Sequence, residues 1–236
     1  SPTAAKNLWR EYCSSPDRNV PIEKVKTVMQ WANYWLEIYK KNKVKYPTYK
    51  MYKLYIDKHI IPEIGEIRLN DVRPAHIERL IQKELSKTTA DGEPAPMSLS
   101  SLKKIRLTLR QMFDSAINNN LCVKNPTTNI KLPKEPKKEI VVFTKSQMQS
   151  IIQHLSVHEC GPAVALLLYS GMRLGELRAL CWSDVDFDAG IIHVRHAMSE
   201  TEAGEDMLLP KGDKQRVVAF DASLGEYIKK IPKRSL

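Results

Sequence analysis

Between Asn125 and Ile140 the chain carries Pro126, Pro133 and Pro136 together with Lys131, Lys134, Lys137 and Lys138. Proline has no amide hydrogen and a fixed φ, so this density of it suits neither a helix interior nor an inner strand. With the lysines it predicts an extended, solvated connector, placed at residues 127–142. The chain must therefore fold as two bodies. Its 236 residues are enough for two modest domains, 21–126 and 143–236, after an N-terminal extension over 1–20.

Charge separates the two bodies. Residues 1–142 hold 26 Lys+Arg against 15 Asp+Glu, whereas residues 143–236 hold 11 against 12. A basic module of this size suits a polyanion, because each neutralised phosphate releases counterions. Charge alone leaves DNA, RNA and an acidic membrane surface all open. The lysines that form the densest groups are Lys40, Lys41, Lys43 and Lys45 in the first body and Lys134, Lys137 and Lys138 in the connector.

In the first body, Val25, Val28, Trp31, Trp35 and Ile38 recur at spacings of three and four. That period predicts a helix from about Pro21 to Lys41 with one buried face. A second helix is expected over Pro47–Ile60, a third from Pro74 to about Leu85, and a fourth over Leu99–Asn119, capped by Ser98. Gly92, Pro94 and Pro96 make the intervening stretch a loop. The tryptophans fall on the apolar stripes and are read as core residues.

In the second body the period changes. Thr144 to Gln147 has the form of a capping box. The run Ala163–Tyr169 is apolar nearly all round and predicts a central helix. A short helix follows, about Leu174 to Cys181. Strands are then expected at Val185–Phe187, Ile191–Arg195, Met207–Leu209 and Arg216–Phe220, with Gly212 and Asp213 turning between the last two, and a final helix from Ser223 to Lys230. The fold class is an all-α domain followed by an α+β domain with a small antiparallel sheet. No run of apolar residues is long enough to span a bilayer, and the N-terminus lacks the apolar core of a signal peptide. The four cysteines are far apart with no C-x-x-C pair, so neither a metal site nor a disulfide framework is expected. An intracellular, cytoplasmic setting is the simpler expectation.

The most informative segment is Ser170 to Asp186, SGMRLGELRALCWSDVD. It resembles the first catalytic motif of the tyrosine recombinases, the integrases of phages and conjugative transposons. The segment from Leu209 to Ala219, LPKGDKQRVVA, is similar to the lysine segment of that family. The stretches Trp31–Glu37, Thr48–Tyr52, Ile60–Leu69 and Ser98–Pro126 resemble its helical core-binding domain. The resemblance covers about residues 22–236. It implies a SAM-like four-helix DNA-binding domain followed by an incomplete catalytic domain.

The resemblance assigns roles to particular residues. Arg173 would hold the scissile phosphate, whose transition state gathers charge that a guanidinium can meet with two parallel hydrogen bonds. Glu176 would brace it. Lys211, expected on a hairpin tip, would protonate the leaving 5′ oxygen. Lys214 competes for that role, because this chain reads Lys-Gly-Asp-Lys where many phage-type members have Lys-Thr. Arg178 points elsewhere on its helix and is read as structural or DNA-facing. The bland alternative for Arg173 and Glu176 is an ordinary i,i+3 ion pair. His76 and Arg79 match the family's H-x-x-R by letters but lie in the wrong body and are set aside. Tyr227 comes too early in the order to be the nucleophile and is read as a packing residue. The chain is therefore expected to lack the attacking tyrosine and, alone, to bind DNA without cutting it. Implied partners are a duplex recombination site and other copies of the protein, four at a time during exchange, with no cofactor. A non-catalytic regulator of recombination sites, or a helical scaffold for an acidic protein, would need the basic body but neither Arg173 nor Lys211.

Overall fold

The computed structural model describes residues 22–134, 142–155, 158–212, 214–229 and 231. The expected extension over 1–20 and the connector residues Lys137 and Lys138 lie outside them. The chain divides into two compact units, 1–137 and 138–236.

The first unit is a four-helix body. Helix α1 (Val28–Trp35) starts later than its apolar period suggests. Thr27 stops it from extending upstream: its Oγ1 accepts the Gln30 amide at 3.3 Å while Gln30 Oε1 accepts the Thr27 amide at 3.2 Å. This reciprocal cap satisfies amides that have no partner inside the helix. A π-helical turn (Leu36–Lys40) continues α1. Helix α2 (Tyr46–Tyr55) likewise runs through a π-helical turn (Ile56–Ile60) into one more α turn, Ile61–Ile64. It thus passes the end read from sequence and includes Pro62. The widened turn ends with Ile61 donating to Ile56 O, and Pro62, which has no amide hydrogen to place, follows it. Helices α3 (Pro74–Leu85) and α4 (Leu99–Asn118) lie where the sequence pattern puts them, and Ser98 Oγ caps α4 by accepting the Ser101 amide at 3.1 Å.

Trp31, Trp35, Ile56, Ile77, Leu80, Leu102, Ile105, Leu109 and Phe113 form the centre of this unit. Both tryptophans are core, and Trp31 Nε1 donates to Met112 O at 2.8 Å, so its one polar atom is satisfied where it is buried. The first part of the expected connector is partly packed on the first unit, with Thr128, Asn129 and Lys131 exposed. Asn125 Nδ2 donates to Arg110 O and Asp114 Oδ1, its Oδ1 takes the Thr127 amide, and Arg106 donates to Ile130 O at 2.8 Å. Thr127 and Ile130 are buried as a result. The side chain of Asn125 supplies the turn that proline alone does not dictate.

The second unit mixes helices with two small sheets. Helix α5 (Lys145–Leu155) carries the expected capping box: Thr144 Oγ1 accepts from the Gln147 amide and Gln147 Oε1 from the Thr144 amide. Helix α6 (Gly161–Ser170) ends at Gly171, whose φ of 62° is the left-handed stop that a glycine adopts without penalty. Its apolar surface is not covered all round. Ala165 and Leu166 are buried while Tyr169 is exposed, since its neighbours pack on part of its circumference. Helix α7 (Leu174–Arg178) follows at once.

Strands β1 (Val185–Asp186), β2 (Ile191–Val194) and β5 (Arg216–Ala219) form an antiparallel sheet in the order β1-β2-β5. Strands β3 (Ala197–Thr201) and β4 (Gly204–Leu208) pair as a separate hairpin. β3 was not anticipated, because Ala-Met-Ser-Glu-Thr has no apolar alternation. Its pairing is fixed across the strands and by the turn at Gly204, not by a buried face. Helix α8 (Ala222–Lys229) sets Leu224 and Ile228 against Leu166, Met172, Ile192 and Val194. The Tyr227 side chain, expected to pack, is outside the described part. Among the described residues no helix is long and apolar enough to cross a membrane.

Trp31→Ala should lower the unfolding free energy of the first unit by about 3–5 kcal/mol, measured by urea denaturation, because it removes both a filled core site and a partner of the Met112 carbonyl. Leu107→Ala on the exposed side of α4 should change it by under about 0.5 kcal/mol.

Candidate active site

The turn at Gly171 and the start of α7 present Arg173. It sits at the N-cap of α7, so its side chain leaves the backbone where the helix begins and is 61% exposed. Glu176, one turn on, is buried, with 1% of its side chain exposed. An isolated buried carboxylate is costly. Here it is fully bonded. Oε2 accepts the Arg173 amide at 2.8 Å and Oε1 accepts Arg173 Nη1 at 3.0 Å. Arg216, at the start of β5, adds a fork: Nη1 to Oε1 at 2.9 Å and Nη2 to Oε2 at 2.7 Å. The Arg216 bonds foremost, helped by those from Arg173 and opposed by burial, hold the Glu176 carboxyl at about 2. It is an anion at any ordinary pH.

The i,i+3 pair between Arg173 and Glu176 therefore forms, yet it takes up only one nitrogen of the guanidinium. Among the described residues Arg173 Nη2 and Nε have no protein partner. An exposed, planar donor edge backed by a fixed buried anion can receive a phosphate without reorganising. Gly175 allows α7 to sit this close to the hairpin: a Cβ there would stand 2.8 Å from Met198 O. Arg178 turns away and forms a bidentate pair with Glu205 on β4, at 2.7 and 2.5 Å. Arg195 pairs with Asp184, whose other oxygen accepts the Cys181 amide.

Lys211 and Lys214 are both exposed, in the segment that leads from β4 to β5. That segment is not a hairpin tip, as the sequence suggested. β4 pairs with β3, and β5 pairs with β2, so the segment crosses from one sheet to the other. The turn at Gly212, with φ 85°, does form, but between strands that are not partners. β2, whose Ile192 and Val194 are buried, takes β5 as its neighbour, while β4, largely exposed, takes β3.

In the first unit the lysines differ among themselves. Lys40 is turned inward: its Nζ lies 4.5 Å from the Trp35 ring centroid and 5.0 Å from that of Tyr52, and it donates to Gln111 Oε1 at 2.9 Å. Burial pushes its ammonium below the usual lysine range. Lys41 pairs with Glu37 at 3.0 Å, and Lys43 lies over Tyr39. Lys43, Lys45 and Lys134 are exposed. Among the described residues no group of three or more His, Cys, Asp or Glu is placed to hold a metal ion.

Comparison with known sequences identifies the fold's relatives. Residues 27–85 match the phage integrase N-terminal SAM-like domain, and residues 141–235 match the phage integrase family. The chain belongs to the phage integrase family. An integrase of Saccharopolyspora erythraea is 25% identical over 73% of this chain and 38% of its own length. A tyrosine recombinase XerC-like protein of Caldanaerobacter subterraneus subsp. tengcongensis is 27% identical over 51% of this chain and 31% of its own. The chain thus spans about a third of the length of these curated relatives. In fold it is similar to the Tn1549 transposon integrase solved with a circular intermediate DNA, with a TM-score of 0.73 at 19% identity, over 89% of this chain and 66% of that one.

For a member of the integrase family, the residue that sequence reasoning passed over is Arg216. It lies in the segment LPKGDKQRVVA, and its only signal there was a basic residue opening a strand after the lysines. Its partner is forty positions upstream, beyond the reach of any local pattern.

Because the carboxyl of Glu176 is held below its unfolded value, the stabilisation it brings is complete above the ordinary carboxylate range and lost as pH falls toward 2. Glu176→Gln should remove a component on the order of 3 kcal/mol from the acid dependence of unfolding between about pH 5 and 2, followed by denaturant titration at stepped pH.

Proposed function

We propose that this chain carries the duplex-gripping body and part of the active site of a site-specific DNA integrase that breaks and rejoins strands through a 3′-phosphotyrosine. The open donor edge of Arg173, braced on the buried Glu176, carries the reading. In the complete protein a tyrosine hydroxyl attacks the phosphodiester. Negative charge grows on the non-bridging oxygens, and Arg173 meets it with parallel N–H bonds while keeping its own proton. Lys211, with Lys214 as the alternative, gives a proton to the departing 5′ oxygen. The covalent intermediate preserves a phosphodiester linkage, so rejoining needs no energy cofactor. The basic first unit supplies sequence-independent hold on the backbone through Lys43, Lys45, Lys134 and the connector lysines Lys137 and Lys138. Lys41 is half-covered beside Glu37, and Lys40 is committed to its aromatic neighbours, so it contributes to that unit's shape. Partners on this reading are a duplex recombination site and further copies of the integrase, acting on DNA inside the cell.

In the complete protein, Arg173→Ala should lower covalent-complex formation on a nicked trapping duplex by about 10²–10³-fold while duplex affinity stays within a few-fold. Wild-type cleavage by this variant would remove Arg173 from the chemistry and leave a DNA-binding regulator. Lys211→Ala should be slow on an ordinary duplex and recover on a substrate whose leaving 5′ oxygen is replaced by sulfur, since a thiolate of pKa about 8.5 departs without a proton. Recovery seen with Lys214→Ala in its place reassigns the general acid. In salt titrations of duplex binding, Lys134→Ala should reduce the log–log slope by about 1, and Lys40→Met should leave it unchanged.

A further inference from the structure

We propose that Arg216 is the positioning residue of this site: by filling the fork of the Glu176 carboxylate it prevents Arg173 from closing on that carboxylate, and so keeps the Arg173 donor edge free for phosphate. The proposal rests on the integrase reading of Arg173 given above.

The argument is one of acceptor counting. A carboxylate offers about four lone-pair positions, two on each oxygen. In Glu176 four bonds are made. Oε1 receives Arg173 Nη1 and Arg216 Nη1, and Oε2 receives the Arg173 amide and Arg216 Nη2. The parallel pair is the one to Arg216, and that pairing sets the plane of the carboxylate. What remains for the Arg173 side chain is a single, sideways bond. Without Arg216, two positions on a carboxylate with 1% exposure would be empty. The nearest cation able to fill them is Arg173 itself, already bonded and 61% exposed, hence free to swing. A bidentate Arg173–Glu176 pair would satisfy the buried anion and withdraw the phosphate-binding edge.

Geometry adds a second effect. Arg216 opens β5 and lies two residues after Lys214 and five after Lys211. The ion pair therefore anchors the end of the lysine-bearing segment to the same carboxylate that orients Arg173. Among the described residues, β2, which pairs with β5, carries His193 opposite Val217, and Arg195 just beyond it is held by Asp184. Helix α6 carries no charged residue, and β3, which packs on α7, carries Glu200. Arg178 on α7 is committed to Glu205.

Two measurements separate this proposal from the integrase reading. In the 236-residue chain, a ¹³C carboxyl titration of Glu176 should move from about 2 upward to or past the usual carboxylate range in Arg216→Gln, because the largest cause of its depression is gone and burial remains. In the complete integrase, Arg216→Gln should lower single-turnover cleavage of the trapping duplex by about 10- to 100-fold, with duplex affinity unchanged within about twofold, and its acid limb should move to higher pH. Arg216→Lys, which keeps the charge but not the fork, should recover only part of the rate. If Arg216→Gln does not fold, Arg216→Lys carries the test: a several-fold slower cleavage at unchanged affinity supports positioning, and a wild-type rate overturns it. An unmoved Glu176 titration, or Arg216→Gln that is less stable yet cleaves at the wild-type rate across pH, also overturns it. Failure of Arg173→Ala to slow cleavage would instead sink the integrase reading of the site, while the titration would still report on the Arg216–Glu176 pair.

Discussion

A carboxylate with almost no solvent contact can persist as an anion only if the protein gives it donors in place of water. Glu176 is given four, from a helix N-terminus, the side chain of the same residue and a strand forty positions away. That requirement ties together elements that share little else. It fixes where α7 begins, holds β5 at its first residue, and gives the guanidinium of Arg173 a backing that does not move. The rest of the second unit is small, with a core of few large side chains, and such a unit gains definition from a polar junction whose geometry admits one arrangement.

The two units are specified in different ways. In the first, the apolar period of the helices places Val25, Val28, Trp31, Trp35, Leu109 and Phe113 in the core, whereas Ile38, expected on the same buried face, is 45% exposed because the chain there leaves the α-helical period for a π-helical turn. Local signals also fixed several termini: Ser98, Thr144 and Gly171 each act through a bond or a dihedral confined to a few residues. The late start of α1 and the passage of α2 through Pro62 were not legible, since the first depends on which of several polar residues wins the cap and the second on a widened helical turn.

In the second unit the strands are legible where β-branched residues cluster, as in Ile191–Val194, and not where they are sparse, as in β3. That omission had a consequence for the site. Without β3, β4 and β5 look like two arms of one hairpin; with it, they belong to different sheets, and the segment bearing Lys211 and Lys214 is a crossing. Arg173 and Glu176 were legible because their relation is local. Arg216 was not, because its relation to them is made only by folding. Lys40 shows the converse limit. Composition counts it among the basic surface, whereas Trp35, Tyr52 and Gln111 enclose its ammonium.

Gly175 leaves α7 in direct backbone contact with Met198, and Arg178 is clamped to Glu205 on the other strand of the same ribbon. One link is backbone against backbone, the other a forked ion pair between two side chains. Helix and ribbon are in effect a single lever, with the exposed β-ribbon as its handle and the first turn of the helix as its fulcrum. The position of the ribbon and that of the turn that aims Arg173 are therefore set together.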